Sequence, residues 1–243
     1  ADGPPVTPGS TSLADYISGL FAALGALLAY IARERQGIGQ TVDVALYEGV
    51  LRMLDELAPA YGRSGFVRER MGADTVNAVP HSHYQTRDGH WIALACSSDK
   101  MFARLAAVMQ RPDLIAPARF ARTEQRVAAR AEVNGIVADW MASLDRDEVM
   151  ARCLAGEVPA GPVNSIADIF ADPHIAARGS LLHVHDARAG EVVVPNVVPR
   201  LSATPGRLRN LGPDLGQHNH EVYAGRLGLD AETLQRLRED GVI

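Results

Sequence analysis

Hydrophobic periodicity organises the chain around one segment. Residues 16–32 carry no charged side chain. Leu20, Leu24, Leu27 and Ile31 recur there at helical spacing, with Ile17, Phe21 and Leu28 beside them. Ala22, Ala23, Ala26 and Ala29 fill much of the remainder, so the helix is apolar almost all round and is expected to be buried. Ser12-x-x-Asp15 ahead of the run has the form of a capping box, with Asp where Glu or Gln is more usual. Arg33 and Arg35 suit the negative end of the helix dipole, and Gly37 and Gly39 stop the helix. Gly19 and Gly25 each cost about 1 kcal/mol against Ala in a helix interior, which implies that something packs or binds close to that backbone.

The pattern after this helix is mixed. Residues 41–44 fit a short strand. A helix over 45–61 would place Leu46, Val50, Leu54 and Leu57 on one face and Glu48, Arg52 and Asp55 on the other. Residues 62–80 are charged and irregular. Alternation over 83–95 around Asp88-Gly89 predicts a β-hairpin. Helices are expected over 99–110, 123–144 and 145–154, the last with Asp145 as N-cap. A breaker-rich turn at 158–163 and a short helix at 165–170, stopping before Pro173, come next. A second hairpin pairs 181–185 with 191–194. Residues 195–216 are proline-rich and extended, and short helices over 220–227 and 231–240 close the chain. Residues 1–8 are expected to be extended. The organisation is α/β, with a separate α+β module at 72–175 between a first segment, 1–71, and a C-terminal segment, 176–243.

Composition narrows the partners. At 243 residues and 47% hydrophobic content, one or two domains can each bury a core. A net charge of −5 with no basic tract makes nucleic acid and anionic membranes poor partners. Two cysteines, Cys96 and Cys153, have neither metal nor disulfide spacing and fit a reduced, cytoplasmic setting. The polar start of the chain does not have the form of a signal peptide. Residues 16–32 sit at the lower length limit for a membrane span, but the segments after them are those of a soluble protein.

Asp15 is the principal candidate for chemistry. A first-turn carboxylate is stabilised by free N–H groups and by the dipole, which makes it a cap. Beside a glycine that leaves room, the same carboxylate can attack an acyl group. Gly19 either admits a substrate to the helix or serves helix packing. Asp43 and Glu48 are possible further carboxylates, although a turn and a solvated helix face also account for them. Arg207 and Arg209 could meet an anion or simply be solvated. His81-x-His83, His183-x-His185 and His218-x-His220 could be metal ligands, but they lack an acidic ligand at fixed offset, and hydrogen-bonding histidines account for them better.

Several motifs in register carry a resemblance. They are Asp15-x-x-x-Gly19, Gly25-Ala26-Leu27-Leu28-Ala29 and Arg33-x-Arg35-x-Gly37-x-Gly39-Gln40-x-Val42-Asp43-Val44. Tyr84-x-Thr86-x-Asp88-Gly89-x-Trp91-Ile92, Pro159-Ala160-Gly161-Pro162-Val163, Asp172-Pro173-His174 and Pro213-x-Leu215-Gly216-x-His218-Asn219-x-Glu221-Val222 continue the series. Together they resemble the class III CoA-transferases, the CaiB/BaiF family. The resemblance implies part of a Rossmann-like large domain, an inserted small α+β domain and an interlocked homodimer. It implies a catalytic aspartate at Asp15, which forms an acyl-aspartyl anhydride and then an aspartyl-CoA thioester, with Gly19 at the substrate. Coenzyme A would be substrate and product, with no resident cofactor and no metal, and the second substrate a carboxylic acid.

The departures matter as well. Family members extend much further on the N-terminal side and contact CoA largely there. This chain therefore resembles their C-terminal part, with the N-terminal half supplied elsewhere or missing. No glycine-rich phosphate loop replaces it, because Gly37-x-Gly39 ends a helix instead of opening one. Formyl-CoA transferases carry a glycine run where this chain has Met71-Gly72-Ala73-Asp74-Thr75-Val76-Asn77, which argues against formyl or oxalate specificity. Two alternatives stay open: an acyl-CoA racemase on the same fold, with Asp15 as proton shuttle, and a catalytically silent scaffold subunit or fragment.

Overall fold

The computed structural model describes residues 11–116 and 119–243, so the stretch expected to be extended at 1–8 lies outside the described residues. The chain divides into two units, Ala1–Gly161 and Pro162–Ile243.

In the first unit, helix α1 spans Leu13–Gln36 and ends at Gly37, whose φ of 72° is left-handed and whose N–H donates to the Arg33 carbonyl at 2.9 Å. The start differs from expectation. Ser12 makes no side-chain cap bond. Its φ of −74° and ψ of 66° lie outside the extended geometry that aims a cap side chain at the first turn. Burial differs too: Leu20, Leu24 and Leu27 are 73%, 53% and 60% exposed. The segment after the helix packs instead against the stripe carrying Ile17, Ser18, Phe21 and Gly25. Small side chains allow that approach, and it turns the leucines to the opposite face. By length and composition, α1 could also cross a membrane.

Residues 41–44 join no strand ladder among the described residues. The helix expected over 45–61 is two helices, α2 (Leu46–Met53) and α3 (Leu57–Ser64). Asp55 between them has φ +50°, a conformation that a continuous right-handed helix does not admit. The apolar face expected across this segment is largely exposed, with Leu46 and Leu54 at 55% and 45%.

The main core of this unit is built on the predicted hairpin. Strands β1 (His81–Gln85) and β2 (Trp91–Ala95) pair antiparallel, with Tyr84 opposite Ile92. Ser82 and Tyr84 on β1, and Ile92 and Leu94 on β2, turn inward, as period-two alternation requires. Gly89 closes the turn at φ 80°. Helix α4 (Asp99–Val108) is capped by the Ser98 hydroxyl. The long helix expected over 123–144 breaks at Ala129 into α5 (Thr123–Ala128) and α6 (Arg130–Ala142). Helix α7 (Arg146–Ala155) follows Asp145, whose side chain bonds Arg87 at 2.9 Å instead of capping. Phe102, Leu105, Val133, Val137, Met141 and Val149 fill the space over the sheet. The breaker-rich turn holds a third strand, β3 (Ala160–Pro162), beside β2; at the same edge the Ala95 N–H donates to the Pro159 carbonyl at 3.0 Å.

In the second unit, α8 (Ile166–Ala171) is capped reciprocally by Ser165 and Asp168. Pro173 ends the expected helix and also begins another, α9 (Pro173–Arg178), with the Asp172 carboxylate accepting from the N–H groups of His174 and Ile175. Proline at the first helical position loses no bond, which is why it can start a helix. Strands β4 (Leu181–Asp186) and β5 (Gly190–Pro195) form the second expected hairpin. Residues 220–226 wind as a π-helical turn, and α10 spans Ala231–Glu239.

Candidate active site on helix α1

Asp15 lies in the first turn of α1 and is exposed. No hydrogen-bond or ion-pair partner occupies its carboxylate among the described residues. Four residues on, Gly19 is also exposed, and a Cβ placed there would meet nothing within 4 Å. Among the described residues nothing packs closely against Gly19. Gly25 differs: a Cβ there would fall 2.7 Å from Val42 Cγ1, so the following segment presses against the helix backbone.

That approach shapes a cleft of about 280 Å³ lined by Phe21, Gly25, Val42, Asp43, Glu48 and Arg52, among others. It brings together the weaker candidates Asp43 and Glu48 but includes neither Asp15 nor Gly19. Glu48 accepts a hydrogen bond from the Ala45 N–H at 3.3 Å and so helps to start α2. Arg207 and Arg209 are exposed in the irregular segment of the second unit.

The histidine pairs stay apart from any ligand set. Among the described residues no three His, Cys, Asp or Glu side chains form a group that could hold a metal ion. His185 pairs across its hairpin with Glu191 at 2.7 Å, and His218 lies 3.3 Å from Glu221.

The segment 71–77, where the formyl-transferase glycines are lacking, is tied to the hairpin core. Asn134 donates to Asp74 at 3.1 Å and accepts from the Tyr84 hydroxyl at 2.8 Å. Arg130 donates to the Val76 carbonyl at 2.7 Å. Burial, and after it the Asp74 charge, pushes the Tyr84 phenol well above its ordinary range, so it remains a hydrogen-bond donor.

Sequence reasoning missed Ser18, Gly49, Arg126, Arg130 and Asn134. A signal existed for some of them. Ser18 is a hydroxyl inside an apolar run, and Arg126 and Arg130 fall on the same helical stripe as Val133 and Val137.

The motif series is matched by known proteins. The family model described as CoA-transferase family III matches residues 1–219. The chain is 53% identical over 239 residues to the succinyl-CoA–L-malate CoA-transferase alpha subunit of Chloroflexus aurantiacus, covering 98% of this chain and 56% of that protein. It is 50% identical to the beta subunit from the same organism, covering 99% of this chain and 60% of that one. A solved structure of a CaiB/BaiF family protein from Brucella suis superposes with a TM-score of 0.73 at 31% identity, over 92% of this chain and 57% of that one. The chain thus spans little more than half the length of the relatives it matches. With the motif order, the extent of the family match and the shared mixed α/β fold in agreement, this chain belongs to CoA-transferase family III.

Proposed function

We propose that the chain supplies the nucleophilic carboxylate of a CoA-transferase, that this carboxylate is Asp15, and that the enzyme moves CoA from an acyl-CoA to a carboxylic acid. The observation that carries the reading is the setting of Asp15. Among the described residues it is an exposed carboxylate without a partner, one turn before a glycine with nothing packed on it, at the head of the helix where the family motif begins. The names of the relatives favour dicarboxylic substrates, with succinyl-CoA as donor and a hydroxy-dicarboxylate as acceptor.

In this reading an Asp15 oxygen attacks the acyl carbonyl of the donor. The C–S bond breaks, CoA leaves as thiolate, and an acyl-aspartyl anhydride remains. The thiolate attacks the aspartyl carbonyl, the anhydride C–O bond breaks, and the donor acid departs with Asp15 held as its CoA thioester. The acceptor carboxylate then displaces CoA from Asp15 to form a second anhydride. The returning thiolate takes the acceptor acyl group and frees Asp15. No proton is gained or lost over the cycle. Gly19 gives the thioester room to reach the helix backbone.

The chain would work as part of a larger assembly. In this reading, residues 1–71 belong to a Rossmann-like large domain completed by an N-terminal portion that holds CoA, residues 72–175 form the inserted small domain, and 176–243 return to the large domain. The protomers would interlock as a homodimer, or this chain would pair with a separate N-terminal polypeptide. CoA is substrate and product, no resident cofactor is needed, and the enzyme would act in the cytoplasm.

The test uses the complete transferase containing this chain. It is incubated with succinyl-CoA, quenched with hydroxylamine and mapped by mass spectrometry. The expected result is a hydroxamate at Asp15, and loss of turnover in Asp15→Asn. Turnover with Asp15 unmodified would overturn the covalent route. Solvent deuterium entering the acyl α-carbon without CoA exchange would show a racemase instead.

A further inference from the structure

The contact that seats α1 on α2 lies beneath the Asp15 turn. Ser18 is three residues beyond Asp15 and so shares its side of the helix. It is 5% exposed and is the one buried residue of α1. Its Oγ donates to the Leu46 carbonyl in the first turn of α2 at 3.1 Å. Gly49 is the one buried residue of α2. A Cβ built on it would stand 3.0 Å from Ile17 Cγ2, 3.2 Å from Ser18 Oγ and 3.4 Å from Phe21 Cδ2. The two helices therefore cross at a small side chain and a glycine, and a methyl group at Gly49 requires Ile17, Ser18 and Phe21 to give way by a few tenths of an ångström.

We propose that Ser18 and Gly49 are positioning residues for Asp15. They set how far the first turn of α1 stands from α2, and with it the place of the carboxylate. This rests on Asp15 being the nucleophile. Attack on an acyl carbon needs the reacting atoms about 3–3.5 Å apart, and a misplacement near 1 Å can cost about 10²-fold in rate. Ser18 holds the distance by a hydrogen bond, and Gly49 holds it by leaving no side chain in the gap.

The test compares Ser18→Ala, Ser18→Thr, Gly49→Ala and Gly25→Ala in the complete enzyme. Single-turnover acylation of Asp15, the KM for acyl-CoA and Tm are measured for each. Gly49→Ala is expected to slow acylation several-fold, with KM changed much less. Ser18→Ala is expected to slow it several-fold, and Ser18→Thr to recover part of the loss by restoring the hydroxyl. Gly25→Ala also crowds α1, against Val42, but two to three turns further along. It is expected to cost more acylation rate than parent but less than Gly49→Ala at equal loss of Tm. Parental acylation in both Ser18→Ala and Gly49→Ala overturns the inference, as do losses that merely track Tm across the set. If Gly49→Ala does not fold, Ser18→Ala and its threonine rescue decide. Asp15→Asn separates the two readings: if it stays active the nucleophile assignment fails, whereas if it is dead and Ser18 and Gly49 prove indifferent, only the positioning role fails.

Discussion

Arg126 is fully buried and donates from one guanidinium nitrogen to Asp99 Oδ1 at 2.9 Å. Its other donors reach the Val79 carbonyl at 2.7 Å, the Phe120 carbonyl at 2.9 Å and the Thr123 hydroxyl at 3.0 Å, and its plane lies over the Phe102 ring. A buried charge is tolerated only when its donors are met, and here one arginine ties three stretches of the hairpin core together, at Val79, at Asp99 and at residues 120–123. Replacing it with methionine strands the two carbonyls, and we expect a loss of about 2–4 kcal/mol of stability by chemical denaturation.

The same pair gives a pH dependence. The Thr123 hydroxyl first, and then Arg126, hold the Asp99 carboxyl below the usual carboxylate range. A depressed folded-state pKa contributes stability that is fully present above the unfolded value, about 3.9, and is lost as pH falls through the folded value. Asp99→Asn should therefore lower Tm at neutral pH and make its fall below about pH 4 less steep. Thermal melts across that range check it, and an unchanged acid limb would refute it.

Burial pushes the Cys96 thiol up to about 12 and the Cys153 thiol up to about 11. Thiolate is the reactive form, so both should resist iodoacetamide in the folded protein at pH 8 and react on unfolding. Peptide mapping before and after addition of denaturant reads this directly.

Gly156 stands where α7 meets α4. A Cβ there would lie 2.2 Å from Val108 Cγ2. Gly156→Ala should cost about 1–3 kcal/mol through overpacking. Combining it with Val108→Ala should recover part of that cost, a coupling that a double-mutant cycle measures.

The leucine face of α1 is a large apolar patch with nothing over it among the described residues. Leu24 and Leu28 are 53% and 58% exposed. The 243-residue chain by itself should bind a hydrophobic dye strongly. Leu24→Glu with Leu28→Glu should reduce that binding without lowering Tm, because neither side chain contributes to the packed core.

Long periodic segments were legible from sequence: α1, the two hairpins, α4 and α7 fall where periodicity and alternation place them, although the expected caps Ser12 and Asp145 make no cap bond. The misses have separate causes. Asp55 breaks a helix through a single left-handed residue, which periodicity does not register. Strand β3 is three residues long and hides in a proline-glycine turn. Periodicity identified the apolar face of α1 but not what lies against it, so the leucines were expected inside. At the site, Asp15 was legible as a helix-start carboxylate, and its suggested chemistry came only from the order of motifs along the chain. The crossing of Ser18 and Gly49 was not legible, because it is a tertiary contact between residues 31 apart.

The geometry of α1 has a mechanical consequence. Its 24 residues, rising about 1.5 Å each, make a rod about 36 Å long. The segment after it meets the rod at Ile17, Ser18, Phe21 and Gly25, so Asp15 lies two residues before that seat and Gln36 eleven residues beyond it. A tilt about that seat sweeps the Gln36 end through a wider arc than the Asp15 end. Asp15 sits on the short arm, so a tilt that moves the Gly37 end would move its carboxylate less.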